Sequence, residues 1–395
     1  MKARKYALLN DISPLGIQEF GENFELTKDV NEADLWLVRS AELKDAELPD
    51  RLRVIARAGA GVNNIPLVRC AQKGIVVFNT PGGNANAVAE LVVAGMLLAS
   101  RGIIEGINWL RTQPADEKLQ QAAEKQKKIY SGHEIRGKRL VVVGLGAVGH
   151  LVANAAVALG MEVTGYDPMM SIEYALKLSR SVHVAKQLNG ILADADFVSL
   201  NLPLNDKTKG LFDEVMISRM KPGAVLLNFA RDLIVDEEAL GKALQSGAIR
   251  GYVTDFANEK VMNFPNTIVL PHLGAATEES EDNCAVMAVL EAQDYLNNGN
   301  ITNSVNFPAI NLGKAVFPTR VMVLHNNVPG ILSKVTTLFG EAHVNIEQMV
   351  SASRGDFACA LFDTSVMVQR EFAMQLSTMP GILKVRVIHS AEETV

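Results

Sequence analysis

Arg231, Asp255, Glu259 and His272 each stand at or just past the end of a short apolar run in the second half of this chain. Arg231 directly follows Val225-Leu226-Leu227-Asn228-Phe229-Ala230. A guanidinium in such a place can grip a carboxylate through a two-point fork and polarise an adjacent carbonyl. His272 follows Thr267-Ile268-Val269-Leu270-Pro271. Imidazole changes charge near neutral pH and suits proton transfer to or from a hydroxyl. Glu259 lies just past the run ending at Asp255-Phe256, where it could orient that imidazole and stabilise its protonated form. Taken singly, an arginine after a strand is often a surface ion pair, and a histidine there is often structural. Together they describe a crevice that could bind a small anion and move a proton to or from a hydroxyl.

A second pattern supplies the oxidant. Val141-Val142-Val143 runs into Gly144-Leu145-Gly146-Ala147-Val148-Gly149, a helix-like segment follows, and the apolar run Met161–Tyr166 stops at Asp167. That order is what a dinucleotide-binding βαβ unit requires. Gly144 permits a tight turn, Gly146 lets backbone approach a pyrophosphate, and Gly149 lets helix and strand pack closely. The helix N-terminus offers free N–H groups to the phosphates. Asp167, 18 residues past Gly149, can accept the ribose hydroxyls and would repel a 2′-phosphate, so NAD is the expected cofactor rather than NADP. Pro168 follows it, with no arginine beside it. Asp255 competes with Glu259 as the partner of His272, but its strand-end position suits it better to a nicotinamide amide.

These residues need a scaffold that brings strand ends together. Strand-like runs at Tyr6–Asn10, Leu35–Val38, Arg53–Ala58 and Ile75–Asn79 alternate with helical stretches and predict a parallel sheet. A helix around Ala87–Ala99 is expected to cross between domains. A helical, solvated face is expected over Gln120–Lys128. Six further strands, near 139–143, 162–166, 197–202, 224–229, 252–256 and 267–271, predict a second parallel sheet. Their ends carry Gly144, Asp167, Pro203, Arg231, Asp255 and His272, on the side where open α/β sheets bind ligands. A helix over Glu278–Asn297 is expected to return to the first domain. After a connector at Val305–Ala315, the order from Pro318 is strand, helix, strand, strand, helix, strand, a ferredoxin-like arrangement. The expected fold is α/β, with two Rossmann-like doubly wound domains and a C-terminal ferredoxin-like α+β domain. The expected boundaries are 1–95 with 276–310 for substrate binding, 96–275 for NAD, and 318–395 for regulation.

Composition excludes some roles. The 395 residues carry a formal charge of −6 with 48% hydrophobic and 21% charged side chains, so no basic excess exists to neutralise nucleic-acid phosphates. Cys70, Cys284 and Cys359 are odd in number and far apart, which speaks against a disulfide framework or a metal site and for a reducing cytoplasm. The apolar stretch after Met1 is too short for a signal peptide. Ala87–Ile104 is interrupted by Glu90, Ser100 and Arg101 and reads as a buried helix rather than a membrane span.

The chain resembles the D-isomer-specific 2-hydroxyacid dehydrogenases over about the first 310 residues. The matching segments are Arg57-Ala58-Gly59-Ala60-Gly61-Val62-Asn63-Asn64, Asn79-Thr80-Pro81, Val88-Ala89-Glu90, Gly144–Gly149, Asn228–Arg231, Asp255 with Glu259, and Pro271-His272-Leu273-Gly274. The resemblance implies catalysis by Arg231, Glu259 and His272. It implies cofactor contacts at Ala147, Val148, Asp167, Phe229, Ala230, Arg231, Asp255, His272, Leu273, Gly274 and Ala275. The chain departs from the family at Asn63, often Asp, at Asn201, often His, and at Lys260, where a proline usually follows the glutamate. The stretch from Asp255 to Glu259 is also one residue shorter than in many members.

Residues 318–395 resemble an ACT regulatory domain. A member of this family with that addition is similar to the enzymes that open L-serine biosynthesis, which implies 3-phospho-D-glycerate as substrate and L-serine as effector. By that resemblance Arg39, Ser40 and Asn84 would meet the substrate, and His325, Asn327 and Asn345 would hold serine. ACT domains usually pair, so a homo-oligomer, dimer or tetramer, is expected. Arg39 could equally serve an ion pair, and the C-terminal domain could be purely dimerising. Two other functions compete: a family member acting on glycerate, hydroxypyruvate, glyoxylate or lactate, and a non-catalytic NAD-sensing regulator.

Overall fold

A computed structural model describes residues 3–389, and the chain divides into two compact units. One comprises Met1–Gly83 with Glu281–Val395; the other is Asn84–Ser280. The last six residues of the expected 318–395 domain lie outside the described residues.

The first unit holds five parallel strands, β1 (Arg4–Leu8), β2 (Phe24–Leu26), β3 (Leu35–Val38), β4 (Val54–Arg57) and β5 (Val76–Phe78), in the order β2-β1-β3-β4-β5. Strands β3, β4 and β5 are nearly continuous apolar runs because both faces are covered. Leu35, Leu37, Val54, Ala56, Val76 and Phe78 pack with Ala288, Ala292 and Tyr295 of the helix Glu278–Asn298. Trp36, Ile55 and Val77, one residue out of step, point to the other face with Leu52, Ile65 and Cys70. That period of two makes each strand a wall between two apolar layers.

The second unit is a seven-stranded parallel sheet. Its strands are β6 (Arg139–Val143), β7 (Glu162–Tyr166), β8 (His183–Val184), β9 (Phe197–Leu200), β10 (Val225–Asn228), β11 (Gly251–Thr254) and β12 (Thr267–Val269). The order β12-β11-β10-β9-β6-β7-β8 reverses between β6 and β9, the topological switch point at which such sheets take nucleotides. The helix Ala85–Ser100 belongs to this unit rather than crossing out of it. Val88, Val92 and Met96 bury against Val142, Leu227, Phe229 and Val253. Val92 and Met96 are fully buried, each worth about 1.5–3 kcal/mol relative to exposure. The second compact unit begins at Asn84, because this helix spends its apolar face on the second sheet. This compact unit ends at Ser280, and Glu281 opens the return to the first.

The C-terminal segment forms an antiparallel sheet of β13 (Thr319–Asn326), β14 (Ile346–Arg354), β15 (Phe357–Thr364) and β16 (Ile382–His389), ordered β14-β15-β13-β16. Val321, Val323, Ala360 and Phe362 face the helices Ile331–Glu341 and Arg370–Ser377. Met322, Leu324, Cys359 and Leu361 face the other way and join the core of the first unit. This sheet therefore shares a hydrophobic layer with the five-stranded sheet instead of standing apart. Arg320, fully buried, ties the junction: it forms a two-point pair with Asp363 at 2.6 and 2.8 Å and donates to the carbonyls of Asn298 and Gly313 at 2.9 and 2.7 Å.

Candidate active site and cofactor pocket

The glycine turn after β6 has the geometry a pyrophosphate requires. Gly144 has φ +90°, and a side chain there would strike the Asn201 carbonyl oxygen at 2.5 Å across the switch point. A β-carbon on Gly149 would lie 1.8 Å from the Gly144 carbonyl oxygen. At Gly146 the same addition meets nothing within 4 Å, so backbone there is open to a ligand. The helix Gly149–Ala158 begins with no capping side chain, leaving its first N–H groups to an anion.

Asp167 ends β7 half-buried, with Oδ2 accepting from Leu145 N–H at 2.9 Å and Oδ1 from Met169 N–H at 2.8 Å. Those bonds fix the carboxylate and leave lone pairs for ribose hydroxyls. It lines a cavity of about 670 Å³ with Gly144, Gly146, Asn201 and Pro203. Lys186 lines the same cavity, a cation that sequence reasoning did not place near the ribose position. Asn201, where the family often has histidine, donates to Ser199 at 3.2 and 3.1 Å.

Asp255 is 2% exposed at the end of β11. Its Oδ2 accepts from Gly274 N–H at 2.9 Å, while its Oδ1 is buried with no hydrogen-bond partner. A buried acceptor left open is costly unless a ligand fills it, and a carboxamide N–H would do so. Burial pushes this carboxyl above the usual carboxylate range, against the pull of Gly274 N–H and the positive charges of His272 and Arg231. The structure thus brings Arg231, Asp255 and His272 into one electrostatic neighbourhood. His272 is exposed, its ring set edge-on to Phe256 at 5.1 Å and its N–H bonded to the Asp255 carbonyl at 3.1 Å. Arg231 is exposed, with Nη1 on the Ala230 carbonyl at 2.6 Å.

Glu259 starts the short helix Glu259–Met262, exposed, and no hydrogen bond joins it to His272 among the described residues. The helix is capped by Asn258, whose Oδ1 accepts from Val261 N–H at 3.0 Å. Ala147, Val148, Phe229 and Ala230 lie on the turn after β6 and past β10; Leu273, Gly274 and Ala275 follow His272. Asn84 precedes the helix Ala85–Ser100 and makes no side-chain cap.

On the first unit, Arg39 and Ser40 follow β3 at that sheet's own switch point, between β1 and β3. Asn10 holds this loop: its Oδ1 accepts from the N–H groups of Arg39, Ser40 and Ala41 at 2.8, 3.1 and 3.0 Å. Arg39 pairs with Glu281, so the competing ion-pair reading has a partner. Arg57, at the end of β4, donates from Nε to the Arg39 carbonyl at 2.9 Å. Asn10 and Arg57 were not foreseen as site residues. Asn10 lies just past an apolar run, the one signal that could have marked it.

The effector residues do not assemble within one chain. His325 and Asn327 sit at the end of β13 that pairs with Phe357, while Asn345 precedes Ile346, which pairs with Thr364 at the far end of β15. An eight-residue strand separates them, about 24 Å. His325 is buried, with Nδ1 on the Asn326 carbonyl at 2.8 Å and Nε2 unpartnered. Asn327 donates to the Gly355 carbonyl at 2.9 Å and Asn345 to Glu347 at 2.7 Å. Within one chain His325 and Asn327 lie at the opposite end of the sheet from Asn345, because β13 and β14 run the same way and the loop leaving one is at the far end from the loop entering the other.

No single described helix is long and apolar enough to cross a membrane. The bent pair Ala85–Ser100 and Ile103–Arg111 passes by length and composition, yet the first of these is a buried core helix. No cluster of three metal-ligating side chains occurs among the described residues.

The model for the NAD-binding domain of D-isomer specific 2-hydroxyacid dehydrogenases matches residues 93–274, and the ACT domain model matches residues 319–366. A D-3-phosphoglycerate dehydrogenase of Haemophilus influenzae is 30% identical over 379 residues, 92% of this chain and 89% of that protein. Another, of Methanocaldococcus jannaschii, is 34% identical over 302 residues, 73% of this chain and 55% of its own length. Among solved structures, the NAD+-bound 3-phosphoglycerate dehydrogenase of Entamoeba histolytica superimposes with a TM-score of 0.58 at 26% identity, over 77% of this chain and 99% of that one.

Proposed function

The chain belongs to the D-isomer-specific 2-hydroxyacid dehydrogenase family, and from that premise we propose that it oxidises 3-phospho-D-glycerate to 3-phosphohydroxypyruvate, the first step of L-serine biosynthesis. That it is an NAD-dependent dehydrogenase acting on a D-2-hydroxy acid follows from the family. The phosphorylated substrate is the finer reading. Its main support is the Arg39–Ser40 loop, a cation and a hydroxyl held by Asn10 at a strand switch point. The names of the relatives point the same way.

When bound, NAD supplies a hydride acceptor. Gly144–Gly149 and Asp167 would hold its phosphates and ribose, and Asp255 Oδ1 its carboxamide. Arg231 grips the substrate carboxylate by its guanidinium fork. His272 accepts the proton of the C2 hydroxyl as the hydride departs from C2. Glu259, on the family resemblance, stabilises the imidazolium; Asp255 adds negative charge beside it. Arg39 and Ser40 take the phosphate, and Asn84 a further substrate oxygen.

The ACT match supports a small-molecule effector and an oligomer. We take the effector to be L-serine, with His325 and Asn327 of one copy and Asn345 of another forming each site in a dimer or tetramer. Cys70, Cys284 and Cys359 are buried and none is in a disulfide, which suits a cytoplasmic location. The test is kcat/KM with NAD for 3-phospho-D-glycerate against D-glycerate. The phosphorylated acid should be preferred by roughly a hundredfold, the worth of one charge-assisted pair, and Arg39→Ala should erase most of that preference. A preference for D-glycerate in the unaltered protein would overturn the assignment.

A further inference from the structure

Within the first unit, a half-open pocket of about 1000 Å³ lies at the junction of the five-stranded and C-terminal sheets. Its lining includes Arg4, Arg53, Lys314 and Arg386, with Asn297 and His389, and contains no aspartate or glutamate. Arg4 begins β1, Arg53 immediately precedes β4, and Arg386 lies within β16. Three strands from two sheets therefore deliver guanidinium groups to one space.

Most of these charges lack an acid of their own. Asp34 serves Arg51 at 2.9 Å and Arg53 at 3.7 Å. Arg4 bonds the side-chain oxygen of Asn297, a neutral group. Arg386 is 7% exposed; its Nη atoms donate to the carbonyls of Tyr295 and Leu296 at 3.1 and 2.8 Å, and its Nε is buried without a partner. Burial, then repulsion from Arg386 and Arg53, holds Arg4 down at about 10. Burial and then Arg386 lower Arg53, and burial and then Arg53 and Arg386 lower Lys384. Arg320, at the same junction, shows the contrast: a buried arginine with a carboxylate across its fork.

Gathering cations that outnumber their acids in a partly buried space costs stability unless a counter-charge enters. We propose that this cavity is a binding site for a small multivalent anion of the phosphate class, held by Arg4, Arg53 and Arg386. The site is separate from the His325–Asn327 loop: residues 386–389 pair with the Thr319 end of β13, and that loop lies at the other end. An anion here would bridge the regulatory sheet to the N-terminal ends of β1 and β4. The opposite ends of those strands lead to Asn10 and carry Arg57, both bonded to the Arg39 loop.

The probe is inorganic phosphate, titrated into the full chain at constant ionic strength with chloride as the balancing salt, and the readout is the melting temperature. Phosphate should raise Tm by several degrees in the unaltered protein and in Arg39→Ala. In Arg4→Gln the rise should be lost; Arg53→Gln repeats the test should Arg4→Gln fail to fold. An equal rise in every variant would mark a general salting effect and overturn the proposal. So would no rise at all, or a rise lost only in Arg39→Ala, which would place the phosphate at the end of β3.

Discussion

In the seven-stranded sheet every strand runs the same way, so Gly144, Asp167, Arg231, Asp255 and His272 follow strands that end on one edge. In the four-stranded sheet neighbours β13 and β15 run opposite ways, and His325 and Asn345 are left at opposite ends of one strand's length. A parallel sheet gathers residues far apart in sequence into one site within one chain. An antiparallel sheet with helical crossovers presents its loops at two ends, and a shared ligand there needs a second copy. The same contrast shows in the buried charges. Asp255 keeps an open acceptor, fit for a ligand, whereas Arg320 in the C-terminal sheet is satisfied wholly by protein atoms.

The largest effect expected is on that structural arginine. Arg320→Ala leaves Asp363 buried and unpaired, and should cost about 3–5 kcal/mol of stability, read by urea denaturation. Replacing both partners with Arg320→Met and Asp363→Leu should cost less than the single change. A small loss in Arg320→Ala would place this arginine among the ligand-seeking groups and blur the contrast.

Arg231→Ala comes next. It should lower kcat/KM roughly a hundred- to thousandfold, with the fold unchanged by circular dichroism. Arg231→Lys should recover little, because an ammonium cannot reproduce the fork.

Asp255→Asn is smaller and depends on pH. Burial raises the folded carboxyl above its unfolded value of 3.8, so the folded protein holds that proton more tightly than the unfolded chain. Ionised Asp255 therefore costs stability once pH rises through the folded value. Without cofactor, Asp255→Asn should melt above the unaltered protein at pH 8, and the gain should vanish below about pH 4. NADH affinity, read by fluorescence, should fall in the same variant.

The smallest effect concerns serine. Calorimetry should find no serine binding to either His325→Ala or Asn345→Ala alone. Mixed oligomers of the two should recover half the sites, since one of each pair is then intact. Full binding by Asn345→Ala would show that the C-terminal sheet works within one chain after all.

Much of this was legible in the sequence because parallel, doubly covered strands are apolar runs with their chemistry at the ends. That rule alone singles out Arg231, Asp255 and His272, and each stands just past a strand of the second sheet. The two strands it missed, Phe24–Leu26 and His183–Val184, are short sheet edges with largely exposed side chains and no apolar run to mark them. The helix Ala85–Ser100 was read as a crossing element because its sequence shows a long apolar segment but not which sheet receives it. Lys186, Asn10 and Arg57 are brought to their places by folding, and only Asn10 and Arg57 stand at strand ends. The loop positions of His325 and Asn345 were legible; their separation depends on strand direction, which periodicity does not encode.

The central claim is that the ends of the second sheet form one oxidising site in which His272 moves the proton and other residues hold the cofactor. The direct measurement is His272→Ala, assayed for NAD-coupled oxidation of 3-phospho-D-glycerate and titrated with NADH in parallel. The account predicts NADH affinity within a few-fold of the unaltered protein and turnover reduced by about 10²–10⁴. Turnover near the unaltered value would contradict it.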